Sequence, residues 1–129
     1  MLKLLLDEHI FSGIAEMTAK LAPALKAHSI HDWREGRLLN QPDLRILREA
    51  GEARLTLVTF DVNTIPVLLA EMAELGESHA GVIFVSIRSF AQNDYGALAR
   101  ALAGLWKQSR TEVWTNRVVF LQKAARPSR

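Results

Sequence analysis

The sequence contains no cysteine. That excludes a disulfide framework, a thiolate nucleophile and any zinc site built on sulfur. Long apolar runs are missing too. Stretches such as Val67-Leu68-Leu69-Ala70 are short, far below the ~20 residues that span a bilayer. The opening Met1-Leu2-Lys3-Leu4-Leu5-Leu6 is cut off by Asp7 and Glu8, too early for a secretory signal. The seven glycines form neither G-x-G-x-x-G nor a Walker pattern, which disfavours a dinucleotide-binding enzyme and a P-loop NTPase. No serine sits in a G-x-S-x-G elbow, so that hydrolase arrangement is absent. His9, His28, His31 and His79 show no metal-ligand spacing.

What remains is a chain of 129 residues, 49% hydrophobic and 23% charged. Those values exclude intrinsic disorder and suit one domain with one core. We expect a cytoplasmic protein with no membrane segment. The expected domain covers residues 1–122, followed by a mobile basic tail over 123–129.

The net charge of +2 identifies no partner, but its distribution is uneven. From Ala97 to Arg129 there are seven basic residues and one acid, Glu112; the first 96 residues carry nine bases and thirteen acids. A basic end facing something anionic, or a solvated helix face with a loose tail, would each give this pattern.

Short apolar runs alternate with helical periodicity. Leu2–Leu6 reads as a buried strand. Ile14, Met17, Leu21 and Leu25 recur at helical spacing within 11–27, with a kink or early stop expected at Pro23. A weak second strand is expected at Ser29–Trp33, then a polar loop over Glu35–Gln41. Pro42 and Asp43 open a helix that Gly51 is expected to stop. Leu55–Phe60 is the clearest central strand. Thr64–Leu75 is a helix with Gly76 beyond its end, Gly81–Val85 a strand, Asp94–Lys107 an amphipathic helix and Val118–Leu121 a last strand. This alternation predicts an α/β/α sandwich around a mostly parallel sheet of about five strands.

In such a fold, sites form at the carboxyl ends of the strands. Asp7 and Glu8 follow the first strand; Asp61 and Asn63 follow the central one. If those strands are neighbours in a flavodoxin-like order, the acids meet. Clustered carboxylates repel and call for a cation. Mg²⁺ or Mn²⁺ suits an oxygen-rich site and could activate water against a phosphodiester. The competing explanation is that each acid only caps a turn or helix, as the helix-opening Asp43 also would. His9, beside the acids, could contact a phosphate but reads more simply as a helix cap.

Three segments together resemble a known family. Leu4-Leu5-Leu6-Asp7-Glu8-His9-Ile10, Pro42-Asp43-Leu44-Arg45-Ile46-Leu47 and Leu57-Val58-Thr59-Phe60-Asp61-Val62-Asn63 are similar, in order and spacing, to the landmarks of short PIN-like proteins. The resemblance covers roughly residues 1–108. It implies a PIN-like fold and a Mg²⁺- or Mn²⁺-dependent ribonuclease. Relatives are often toxins of toxin–antitoxin pairs, inhibited by a small protein partner. By position, it implies Asp7, Asp43 and Asp61 as catalytic acids and metal ligands, with Glu8 and Asn63 beside them and Thr59 supporting the Asp61 turn. The chain departs from the pattern at Asn63, where relatives often have an acid. It also lacks a clear counterpart of the glutamate that many PIN nucleases carry on an early helix, Glu16 being the nearest.

An acidic site that acts on RNA needs cations nearby. The expected phosphate-binding surface is Arg88, Arg100, Lys107, Arg110 and Arg117, bordering the acids. The spacing of Arg100, Lys107 and Arg110 puts them on one side of a helix, and Arg34 and Arg37 are the fallback. Two alternatives stay open: a receiver-like phosphoacceptor module, in which Asp43 has no role, and a catalytically weak PIN-like binding protein, for which Asn63 argues. Trp33 and Trp114 lie outside clear helical faces and could serve a homodimer.

Overall fold

The computed structural model describes residues 1–123. Residues 124–129, and with them all but Lys123 of the expected tail, lie outside the described residues.

Five strands and four helices alternate: β1 (Lys3–Leu6), α1 (Ile14–Leu21), β2 (Lys26–Ser29), α2 (Asp43–Glu52), β3 (Thr56–Thr59), α3 (Thr64–Glu74), β4 (Val82–Phe84), α4 (Tyr95–Ser109) and β5 (Val118–Phe120). The sheet order is β2-β1-β3-β4-β5, and every pairing is parallel. β1 and β3 are therefore neighbours, with Leu6 opposite Val58, and the strand order reverses between them. A three-layer α/β/α sandwich results. One core cluster joins Leu4 and Leu6 to Ile14 of α1 and to Leu98, Leu102 and Trp106 of α4. The other joins Leu5 and Leu57 to Ile46 and Leu47 of α2 and to Ile65 and Met72 of α3. Alternation along a strand sends neighbouring leucines to opposite layers. Each such aliphatic side chain contributes roughly 1.5–3 kcal/mol when fully buried.

Local chemistry explains most element ends. α1 stops before Pro23, and Ala22 N–H closes it on Thr18 O. α4 starts at Asp94, whose Oδ1 accepts from Ala97 N–H. Gly76 takes φ +71 just past α3, where Glu77 N–H donates to Met72 O, a left-handed helix ending. Trp106 Nε1 donates to Leu2 O at 3.1 Å and pins α4 to the start of β1.

Three expectations are corrected. The second strand is Lys26–Ser29, not 29–33, and Trp33–Gly36 is a 3-10 turn. β2 is an edge strand with Lys26 and His28 exposed, so it carries little apolar signal. Gly51 does not stop α2, which continues to Glu52. A Cβ on Gly51 would stand 3.6 Å from His79 Cα and 3.7 Å from Ser78 O, so this glycine lies where another segment approaches closely. Trp114 is buried and donates through Nε1 to Ser109 O. It belongs to the core and not to a dimer surface. Among the described residues no helix is long and apolar enough to cross a membrane.

The loop before β4 is closed by a buried histidine. His79 Nδ1 accepts from Gly81 N–H at 3.0 Å, and His79 N–H donates to Asn116 Oδ1. Burial holds this imidazole below its ordinary pKa of 6.5, and protonation of Nδ1 would break the Gly81 bond. The unfolded chain thus takes up the proton first. This part of the stability is complete above pH ~6.5 and is lost as pH falls below it. His28 is shifted the same way, by burial and by Lys3 and Lys26. His79→Asn, which keeps an acceptor oxygen near Nδ1, should shed the His79 share of the loss. Urea unfolding of both proteins at pH 7.5 and 5.5 checks this: an unchanged pH difference would mean that His79 does not contribute.

Candidate functional site

The site is built around one buried hydroxyl. β3 is enclosed on both faces, and Thr59, its last residue, is fully buried. Thr59 Oγ1 donates to Asp7 Oδ2 at 2.7 Å and accepts from Asp61 N–H at 3.0 Å. Asp7 N–H donates to Val58 O, extending the β1–β3 ladder by one step. The two turns that follow the central strands are thus held by a single side chain. The expected support of the Asp61 turn by Thr59 is present, and its hold on Asp7 is an addition.

Both aspartates also have local duties. Asp7 Oδ1 accepts from Glu8 N–H. Asp61 Oδ1 accepts from Asn63 N–H and Thr64 N–H, closing the entry to α3. Asp61 Oδ2 has no hydrogen-bond partner among the described residues. Asp43 opens α2 on the same side of the molecule. Its carboxyl is held above the ordinary carboxylate range, first by burial and then by the negative charges of Asp7, Asp61 and Glu8; His9 opposes the shift. Asp43 therefore stands within electrostatic reach of the other three acids at the carboxyl edge of the sheet. Asp7, Asp43 and Asp61 have no ion-pair partner among the described residues, and Glu8 has only the exposed His9 at 3.8 Å. His9 does not cap α1, whose N-cap is Gly13 with no side-chain bond. His31 Nε2 lies 2.9 Å from Glu8 O and ties the end of β2 to the Asp7–Glu8 turn.

Oxygen donors with excess negative charge fit a hard dication that takes one or two carboxylates and completes its shell with water. They do not fit a metal needing three protein ligands. Among the described residues, no three His, Asp or Glu side chains stand together as a metal-binding group. Asn63 is exposed, and its backbone N–H is bound by Asp61.

The expected cationic border is only partly there. Arg88 lies just beyond β4, in the loop at the acidic edge, and is exposed. Arg100 is exposed near the start of α4, with Nη1 reaching back to Gly96. Lys107, Arg110 and Arg117 do not border the acids. α4 runs back from the carboxyl edge, and at 1.5 Å per residue its last turn is roughly 20 Å from its first. Arg110 O accepts from Leu2 N–H, and Arg117 O accepts from Val82 N–H, at the opposite ends of β1 and β4. Arg110 lies over Trp106, and Arg117 lies over Trp114 and pairs with Glu112. The fallback pair is also engaged: Arg34 with Glu49 and Trp33, and Arg37 with Glu35.

One feature of this edge has no counterpart among the expected site residues. Phe11, in the loop after β1, stacks on Tyr95 at the start of α4, with ring centroids 4.4 Å apart and planes at 29°. Long sequence separation hides such a pair; Gly13, two residues beyond Phe11, is its one local trace. Comparison with protein families, curated proteins and solved structures returned no match to this chain.

Proposed function

We propose that this chain is a PIN-like, metal-dependent ribonuclease. The observation that carries the reading is the joining of the Asp7 and Asp61 turns through Thr59 beside the switch point of a parallel sheet, with Asp43 near enough to feel the charge of Asp7, Asp61 and Glu8. Neighbouring carboxylates are compatible with neutral pH when a cation compensates them. Asp7 and Asp61, fixed by Thr59, would hold Mg²⁺ or Mn²⁺, with Asp43, Glu8 and the Asn63 amide oxygen oriented on its bound waters. Such an ion supplies an activated water and stabilises the leaving oxygen of a phosphodiester. Asp43, at the start of α2 beside these carboxylates, would be placed to accept a proton from that water. Arg88 and Arg100 would hold the RNA backbone. A small antitoxin-like protein partner is part of the same proposal.

A second reading, a PIN-like protein that binds RNA without cutting it, is favoured by Asn63 and by there being no three-ligand acidic group among the described residues. One experiment separates them. Wild type, Asp7→Asn and Asp61→Asn are incubated with an RNA panel and Mn²⁺, and metal binding is followed by thermal unfolding. The nuclease reading expects metal-dependent cleavage by wild type and a loss of at least ~100-fold in both variants. It also expects metal-free Asp61→Asn to be as stable as wild type or more so, because repulsion is relieved and one amide oxygen keeps both bonds of the turn; Asp7→Asn gives up one of the two bonds that Asp7 accepts, which offsets that gain. Metal-independent RNA binding with no cleavage would support the second reading instead. If both variants retain the full metal-induced stabilisation, the metal binds elsewhere.

A further inference from the structure

We infer that the Phe11–Tyr95 pair is a stacking platform for an unpaired nucleobase next to the carboxylate cluster. The inference rests on the nucleic-acid reading above and names a subsite within it. The rings are stacked on each other, yet Phe11 is 49% and Tyr95 37% exposed. Each keeps an outer surface in water instead of turning into the core that α1 and α4 form immediately below. This placement is built in. A Cβ at Gly13 would collide with Cε2 and Cζ of Phe11, while Gly13 itself has φ −64, which any residue adopts. Glycine is needed there for space, to let the Phe11 ring fold over the entry to α1 and reach Tyr95.

The pair borders an open hollow of about 630 Å³. Apart from Ile10 its other walls are polar: Ser12, His31, Gln92 and Asn93 offer donors and acceptors around the aromatic surface. Glu8 lines the same hollow and its N–H donates to Asp7 Oδ1, so the platform adjoins the acids. Flat aromatic faces with a ring of amides and imidazoles suit a planar heterocycle with polar edges. A peptide partner would need a wider apolar surface than two rings provide. Base stacking on aromatic side chains tolerates any sequence and requires the base to be unpaired. The platform would therefore select single strands, holding one base while its neighbouring phosphate reaches the carboxylate edge.

The test uses the full chain in EDTA, so that binding is read without cleavage. The probe is a short RNA carrying one 2-aminopurine, offered single-stranded, in a duplex and as the DNA counterpart. Stacking quenches 2-aminopurine fluorescence. Wild type should quench the single strands and bind the duplex weakly. Tyr95→Ala and Phe11→Ala should each weaken single-strand binding roughly tenfold or more and remove the quench. Tyr95→Phe, which keeps the ring, should retain both. Equal quenching of RNA and DNA assigns the recognition to the base; a preference for RNA adds the 2′-hydroxyl. Unchanged affinity in both alanine variants, or equal binding of duplex and single strand, would overturn the platform. Metal-dependent cleavage with no Tyr95 dependence would sink the platform and leave the nuclease reading standing. A Tyr95-dependent quench without any cleavage would do the reverse.

Discussion

Thr59→Val is expected to lower the unfolding free energy by about 2–4 kcal/mol, because one substitution strips the buried Asp7 carboxylate and the part-buried Asp61 N–H of their partner. The valine methyl replaces the hydroxyl with little change of volume, so no cavity opens. What is lost is the bond to Asp7 Oδ2 and the bond from Asp61 N–H. Valine suits a strand, which excludes a backbone explanation. Thr59→Ser keeps the hydroxyl and loses one buried methyl, so it should cost only about 1 kcal/mol. The pair of variants separates bonding from packing in urea unfolding. If the proposed nuclease activity is present, metal-dependent cleavage should fall about 10- to 100-fold in Thr59→Val, the usual cost of losing a group that orients metal ligands. Equal stabilities of the valine and serine variants would show that the hydroxyl holds neither turn.

Gly81→Ala should be at least as severe, at about 3–4 kcal/mol. Gly81 has φ +98, a region that L residues rarely adopt, and a Cβ there would lie 2.7 Å from the backbone oxygen of Trp114. Strained φ values cost about 1–3 kcal/mol, and an inserted methyl with nowhere to go adds about 1–3. No flexible side-chain end can yield, since the nearest atom is backbone and Thr56 Cγ2 closes another side at 3.3 Å. The residue is also bonded at both ends, through its N–H to His79 and its carbonyl to Leu57 N–H. Ala80→Gly, one position earlier, serves as a control for added backbone freedom and should cost about 1 kcal/mol or less. Denaturant midpoints measure both, and a Gly81→Ala protein within 1 kcal/mol of wild type would show that the Trp114 loop can move away.

The architecture was legible because its central strands are short apolar runs bounded by turns and its helices carry amphipathic spacing. The neighbouring of Asp7 and Asp61 depends on a flavodoxin-like strand order, which chain order alone does not fix and which the sheet has. β2 was misplaced because an edge strand with Lys26 and His28 facing water has no apolar pattern to read. The cations were misjudged for a different reason. Helical spacing puts Lys107 and Arg110 on one side of α4, but says nothing about which end of the sheet the helix approaches. The direction of α4 carries both away from the acids. The contact between Phe11 and Tyr95 depends on the packing of α1 against α4, which no local pattern encodes.

The interior position of β1 has a consequence for how the chain emerges during synthesis. β1 is made first, yet one of its edges is closed by β2 and the other by β3, which ends only at Thr59. At roughly 5–20 residues per second, several seconds pass before that second edge can pair. Until then Leu4–Leu6 offers an open hydrophobic ladder, and Asp7 has no hydroxyl to hold it. A nascent chain stopped short of β3 lacks both Thr59 and Asp61. If the proposed nuclease activity is present, a ribosome carrying the first half of this chain is not yet exposed to it.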